Sequence, residues 1–149
     1  MDALTLSSFN EEFNLHAVFE ETEHAAYGYL IRPGKAISMV WIYNKKPAPT
    51  DADEYWKTLS DDRAALNPLE FCSTTLIHPI EKEDEVSFEW GFDADSGEPL
   101  VAIRIRGPIV AMMRPSERIG RSISVTKDGP FAKPLELRSW KNRPEDPTS

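Results

Sequence analysis

The stretch Val86–Arg114, VSFEWGFD followed by ADSGEP and LVAIRIRGPIVAMMR, decides the fold. In its first arm Val86, Phe88, Trp90 and Phe92 alternate with Ser87, Glu89, Gly91 and Asp93. In its second arm Val101, Ile103 and Ile105 alternate with Ala102, Arg104 and Arg106. A period of two is the signature of a strand with one buried face. Placing Asp93 opposite Leu100 pairs Phe92 with Val101, Trp90 with Ile103 and Phe88 with Ile105 on one face, with Trp90 buried. Glu89 then meets Arg104 on the other face. A slip by one residue would put Arg104 among the aromatics, so the pattern opposes that error. Gly107-Pro108 interrupts the second arm and predicts a bulge or bend, with the strand at a sheet edge, before Ile109–Met113 resumes as strand.

The same signs recur along the chain. Phe13–Glu20 alternates partly and reads as a strand. Tyr27–Arg32 and Ala36–Tyr43, separated by Pro33-Gly34, predict a hairpin. Leu69–Ile77 and Arg121–Thr126 read as further strands, and Ser116–Gly120 as a turn. Thr50 followed by Asp53 resembles a helix cap, which predicts a short helix over Asp51–Leu59. Residues 1–12 read as a loose lead-in. The proline- and charge-rich end reads as an extended tail, with Leu135, Leu137 and Trp140 as docking points, a flexible tail over about 141–149 and its last residues, 143–149, disordered. The expectation is a single domain spanning residues 1–149. It is mainly β, with α+β as the alternative: about seven strands in an antiparallel curved sheet, a sandwich or a partly open barrel, with one or two short helices.

Composition narrows the function. The hydrophobic fraction is 40% and the charged fraction 28%, ordinary for a globular chain. The N-terminus lacks the basic and apolar regions of a signal peptide, and no apolar run approaches the roughly 20 residues of a membrane helix. Cys72 is the single cysteine, which suits a reducing compartment. A cytoplasmic location with no membrane partner is the expectation. Net charge is -8 and uneven: residues 1–103 carry 20 of the 25 acids but 7 of the 17 bases. A pI near 4.9 argues against nucleic-acid binding, because phosphate contacts need basic surface. It suits a protein partner with a basic surface, although acidity also serves solubility alone.

Candidate chemistry is sparse. The loop Asp93-Ala94-Asp95-Ser96-Gly97-Glu98 has its glycine at the wrong position for an EF-hand, and a polar turn accounts for it better. His16, His24 and His78 form no ligand pair. His78 lies six residues after Cys72, but Cys72 sits in an apolar pattern and reads as a small buried hydrophobe. Gly120-Arg121-Ser122 lacks the closing glycine of a nucleophile elbow. No catalytic residue, cofactor or metal is expected. Trp41, Trp90 and Trp140 read as core, whereas Trp56 sits among acids. Asp51, Asp53, Glu54, Trp56, Asp61 and Asp62 are therefore the candidate partner-binding surface, because connections concentrate binding residues and tryptophan is a favoured anchor. The run Glu81, Glu83, Asp84, Glu85 is the second candidate.

Two segments carry a resemblance. MVWIYNKKPAP (39–49) followed by the pair Tyr55-Trp56, and GRSISVTKDGPFAKPL (120–135), resemble segments of small bacterial immunity proteins encoded beside secreted toxins. That resemblance implies a small cytosolic protein that occupies a toxin's active site or an adjacent surface and catalyses nothing itself. It assigns no contact residue by position. The rivals are a small-molecule-binding or enzymatic β-domain with a site in a barrel mouth, and a phage-type inhibitor or adaptor.

Overall fold

The computed structural model describes residues 4–45, 67, 71–72, 77–93, 96–129 and 131–135. Within these, two antiparallel meanders build the sheet. The first comprises β1 (Leu4–Asn10), β2 (Leu15–Glu21), β3 (Ala25–Arg32) and β4 (Lys35–Asn44). The second comprises β5 (Val86–Phe92), β6 (Pro99–Ile105), β7 (Ile109–Arg114) and β8 (Glu117–Ser122). The strand order is β1-β2-β3-β4-β8-β7-β6-β5, with β4 and β8 parallel, and a short β9 (Lys133–Pro134) pairs β8. The eight long strands curl into a nearly closed barrel. The two edge strands are bridged by side chains: the Trp90 indole Nε1 on β5 donates to Ser8 Oγ on β1 at 2.9 Å.

The β3–β4 hairpin forms as the Pro33-Gly34 dipeptide predicts, with Arg32 opposite Lys35 and Gly34 at φ 80°. That left-handed backbone is open to glycine at no steric cost. The central hairpin also forms, but its register is displaced by two residues. Trp90 faces Val101 rather than Ile103, and Phe88 faces Ile103. The turn is the reason. Asp93 N–H donates to the Glu98 carbonyl at 2.8 Å and Gly97 N–H to the Asp93 carbonyl at 2.7 Å, so the ladder begins at Phe92 and Pro99. A two-residue shift leaves every side chain on its expected face. Glu89 now faces Ala102 and reaches Arg104 diagonally, with Oε1 2.5 Å from Nη2.

Other expectations are corrected. Leu4–Asn10 is a strand, where a loose lead-in was expected. Its Leu4 and Leu6 lie opposite Glu21 and Phe19 and pack on the core. β8 starts at Glu117 and ends at Ser122, so the expected turn at 116–120 is mostly strand and 123–124 is the turn. Arg106-Gly107-Pro108 reverses the chain, with Arg106 at φ 54° and Gly107 at φ 108°. Strands β6 and β7 are inner strands of the sheet, not edges. Trp90 is partly exposed, because its strand is an edge. Of Leu69–Ile77, Cys72 makes an isolated bridge to Val125. The expected helix at 51–59, Trp56, Leu137, Trp140 and residues 141–149 lie outside the described residues.

The barrel interior is filled. Leu15, Phe19, Leu30, Val40, Ile42, Val101, Ile103 and Met113 from both meanders are fully buried in one cluster. The packing is close at Gly28 on β3. A Cβ there would stand 2.8 Å from Ile103 Cδ1, 3.1 Å from Val40 Cγ1 and 3.3 Å from Met113 Cε. Residues of the two meanders thus meet across the interior, at a density that admits a methyl group only if Ile103 shifts. A smaller cluster of Leu100, Ala102, Ile109, Met112 and Leu135 covers the outer face of β6 and β7.

Candidate protein-binding surface

Alternation of strand direction sorts the connections onto two ends of the barrel. The upper end holds the turns after β1, β3, β5 and β7. The lower end holds the end of β4, the approach to β5 and the turn Arg106-Gly107-Pro108. The described acidic run belongs to the lower end.

That run is a built feature. Glu83–Glu85 forms a single 3-10 turn leading directly into β5. The Glu85 carboxylate folds back over it and accepts the backbone N–H groups of Glu81 at 2.8 Å and Lys82 at 2.6 Å. Arg106 fixes the arrangement from the β6–β7 turn. Its Nε lies 2.6 Å from Glu85 Oε1, and its other nitrogens donate to the carbonyls of His78 at 3.0 Å and Pro79 at 2.9 Å. The Glu81 N–H above all, with that of Lys82 and the Arg106 guanidinium, holds the Glu85 carboxyl below the usual carboxylate range. Glu85 is therefore a structural acid. Glu81, Glu83 and Asp84 are exposed, and their carboxylates have no hydrogen bond or ion pair among the described residues. The result is three negative charges on a pinned backbone, unpaired among the described residues.

A buried polar group supports this end from below. Glu21, 8% exposed, ends β2 and accepts a hydrogen bond from the Tyr43 hydroxyl. Ile80 N–H donates to the Tyr43 oxygen at 3.2 Å, and Lys45 Nζ lies 3.3 Å from Glu21 Oε1. Burial, and next the Glu21 carboxylate, push the Tyr43 hydroxyl far above its ordinary range. Tyr43 thus stays protonated at neutral pH: its hydroxyl donates to Glu21 and its oxygen accepts the Ile80 N–H, which ties residue 80, just before the acidic run, to the barrel. Nearby, Asn44 Oδ1 accepts Asn67 N–H and Asn44 Nδ2 donates to the Asn67 carbonyl, both at 2.9 Å. These two residues bracket the connection that carries Asp51, Asp53, Glu54, Trp56, Asp61 and Asp62. All six lie outside the described residues.

The remaining candidates fall elsewhere. Asp93 pairs with Arg114 at 3.2 Å, and Glu98 accepts Ser116 N–H at 2.6 Å and its hydroxyl at 2.9 Å, so the polar loop knits the upper end together. Cys72 is half-buried. Its thiol donates to the Asn67 carbonyl at 3.8 Å, and burial pushes it up to about 11. Gly120 is packed in mid-strand, Arg121 pairs with Glu117 at 2.8 Å, and Ser122 is fully buried. Among the described residues no group of three or more His, Cys, Asp or Glu could hold a metal ion. A hollow of about 280 Å³ beside Arg106 is lined by Ile77, His78, Ile105, Pro108, Val110 and Ile123. The role of Arg106 was hidden in the sequence, because its partners stand up to 28 residues away. Comparison with protein-family models, curated proteins and solved structures finds no match to this chain.

Proposed function

We propose that this chain is a non-enzymatic binding protein that neutralises a bacterial toxin by setting an acidic surface against a basic one. The observation that carries the reading is the run Glu81–Glu85. Glu85 and Arg106 hold its backbone, while the carboxylates of Glu81, Glu83 and Asp84 have no partner among the described residues. Preorganised acids lose little entropy on binding and draw a basic partner by long-range steering. Toxins that attack nucleic acids need basic clefts, and a fixed row of carboxylates imitates the phosphates such clefts take. The filled interior favours a surface function over a ligand held within the barrel. The residues Asp51, Asp53, Glu54, Trp56, Asp61 and Asp62, with Trp56 as an anchor, are the alternative acidic surface for the same partner.

The test is co-expression with the product of the adjacent open reading frame, scored for rescue from toxicity, followed by binding kinetics at several salt concentrations. Changing Glu81, Glu83 and Asp84 together to lysine should leave the melting curve intact, slow association at low salt and flatten its salt dependence. A folded triple variant that associates at the wild-type rate in low salt would remove this run from the interface. Absence of any rescue by the wild-type chain would remove the toxin.

A further inference from the structure

Strands β4 and β8 pair directly at one register position, Met39 with Ile119. Toward the lower end their seam is filled by the chain itself. The Phe131 carbonyl accepts Trp41 N–H at 2.8 Å, Lys133 and Pro134 pair in parallel with Arg121 and Ser122, and Leu135 N–H donates to the Ser122 carbonyl at 3.2 Å. An extended segment thus lies wedged between the two strands. Toward the upper end, Lys35–Ser38 and Pro115–Arg118 part with no ladder between them among the described residues. The opening holds two adjoining hollows of about 170 and 270 Å³ that share Ala36, Ile37 and Arg118.

The chemistry of this opening is specific. Tyr29, Ile37, Met39 and Ile119 give it apolar walls, each half-buried. Ser38 lines it at 3% exposure, and its buried Oγ has no hydrogen-bond partner among the described residues. Lys35 and Arg118 stand at its rim, both exposed and with no acidic partner among the described residues. In a chain of net charge -8, two cations beside an apolar cleft, unpaired among the described residues, form a local exception.

We propose that the upper half of the β4–β8 seam is a docking groove for an extended, carboxylate-bearing segment of a partner protein. The segment lies between the strands as Phe131–Leu135 lies in the lower half. Its apolar side chain covers Ile37, Met39 and Ile119, its carboxylate meets Arg118 and Lys35, and a peptide group satisfies Ser38 Oγ. An added strand gains affinity from main-chain bonds and selectivity from side-chain pockets. The groove is basic and lies at the end of the barrel opposite the acidic run, so it stands or falls independently of the toxin reading.

The test uses an array of hexapeptides in which valine alternates with each of the other residue types. Members carrying Asp or Glu should bind, shift the amide resonances of Lys35–Met39 and Glu117–Ile119, and lose affinity by about tenfold with Arg118→Glu, as when a charge-assisted contact becomes a repulsion. Lys35→Glu, at the start of β4, gives the same readout if Arg118→Glu disturbs folding. No acid-selective binding, binding indifferent to both substitutions, or shifts confined elsewhere would overturn the proposal. Decanoate producing the same shifts at equal affinity would also overturn it, in favour of a small amphipathic anion.

Discussion

Gly120→Ala tests the packing that closes the barrel. A Cβ at Gly120 would stand 2.6 Å from the Met112 carbonyl oxygen, 2.9 Å from Met113 Cγ and 3.0 Å from Val40 Cβ. The nearest atom is backbone of the neighbouring strand, so relief requires moving β7 away from β8. At Gly28 the nearest atom is Ile103 Cδ1 at 2.8 Å, the far end of a side chain that can rotate. Neither glycine has positive φ, so alanine brings no backbone strain. Overpacking a well-filled core costs about 1–3 kcal/mol. Restricting the unfolded chain returns about 0.4–1 kcal/mol. With the backbone clash at the upper end of that range, Gly120→Ala should lose about 2 kcal/mol net, and Gly28→Ala about 1 kcal/mol or less. Against a total of roughly 5–15 kcal/mol, the first change is large. Urea unfolding measures both as midpoint shifts at constant slope, about 1 M for Gly120→Ala. Ile103→Val removes the Cδ1 that Gly28→Ala strikes, so that pair should be less destabilised than the sum of its members. Equal stability of Gly120→Ala and the wild type, or a greater loss for Gly28→Ala, would refute the close approach of these strands.

Further outcomes follow from the polar contacts. Tyr43→Phe removes a hydrogen bond to the buried Glu21 and should cost about 1–3 kcal/mol in thermal or chemical unfolding. The Tyr43 hydroxyl titrates higher folded than unfolded, so its contribution to stability should be complete below pH 10.0 and be lost as pH rises beyond it. That fall should be reduced in Tyr43→Phe. Cys72, raised from 9.0 to about 11, loses its contribution over that interval in the same sense. Its thiol should alkylate slowly at pH 8 and at an ordinary rate in urea, as mass spectrometry would show. Trp90→Phe keeps an apolar ring but deletes the donor to Ser8, and should cost about 0.5–1.5 kcal/mol. Trp90→Ala should cost less than the roughly 3–5 kcal/mol of a fully buried aromatic, because Trp90 is only partly buried at a sheet edge. A loss at or above that range would put it in the core.

The class of fold, and most strands, were written in local pattern. Alternation in Val86–Phe92 and Val101–Ile105, and the Pro33-Gly34 turn, are properties of adjacent residues, and the two-residue period assigns each side chain to a face wherever the strand pairs. β1 was missed because its serines and its neighbours Glu11 and Glu12 outweigh the Leu4–Leu6 alternation that was there to be read. The register of the central hairpin was not legible, since a shift by two preserves every face and the turn bonds of Asp93, Gly97 and Glu98 decide between them. Composition likewise made the chain acidic without saying which acids are free. Tertiary structure engages Glu85 with two backbone amides and Arg106, Glu21 with Tyr43 and Lys45, and Glu89 with Arg104, and among the described residues it gives Glu81, Glu83 and Asp84 no partner. The seam between β4 and β8 was equally out of reach, because it joins residues about eighty positions apart in the chain. Periodicity is a local property and survives in one dimension. Pairing between distant strands, and the neutralisation or freedom of a charge, depend on which remote residue arrives beside it.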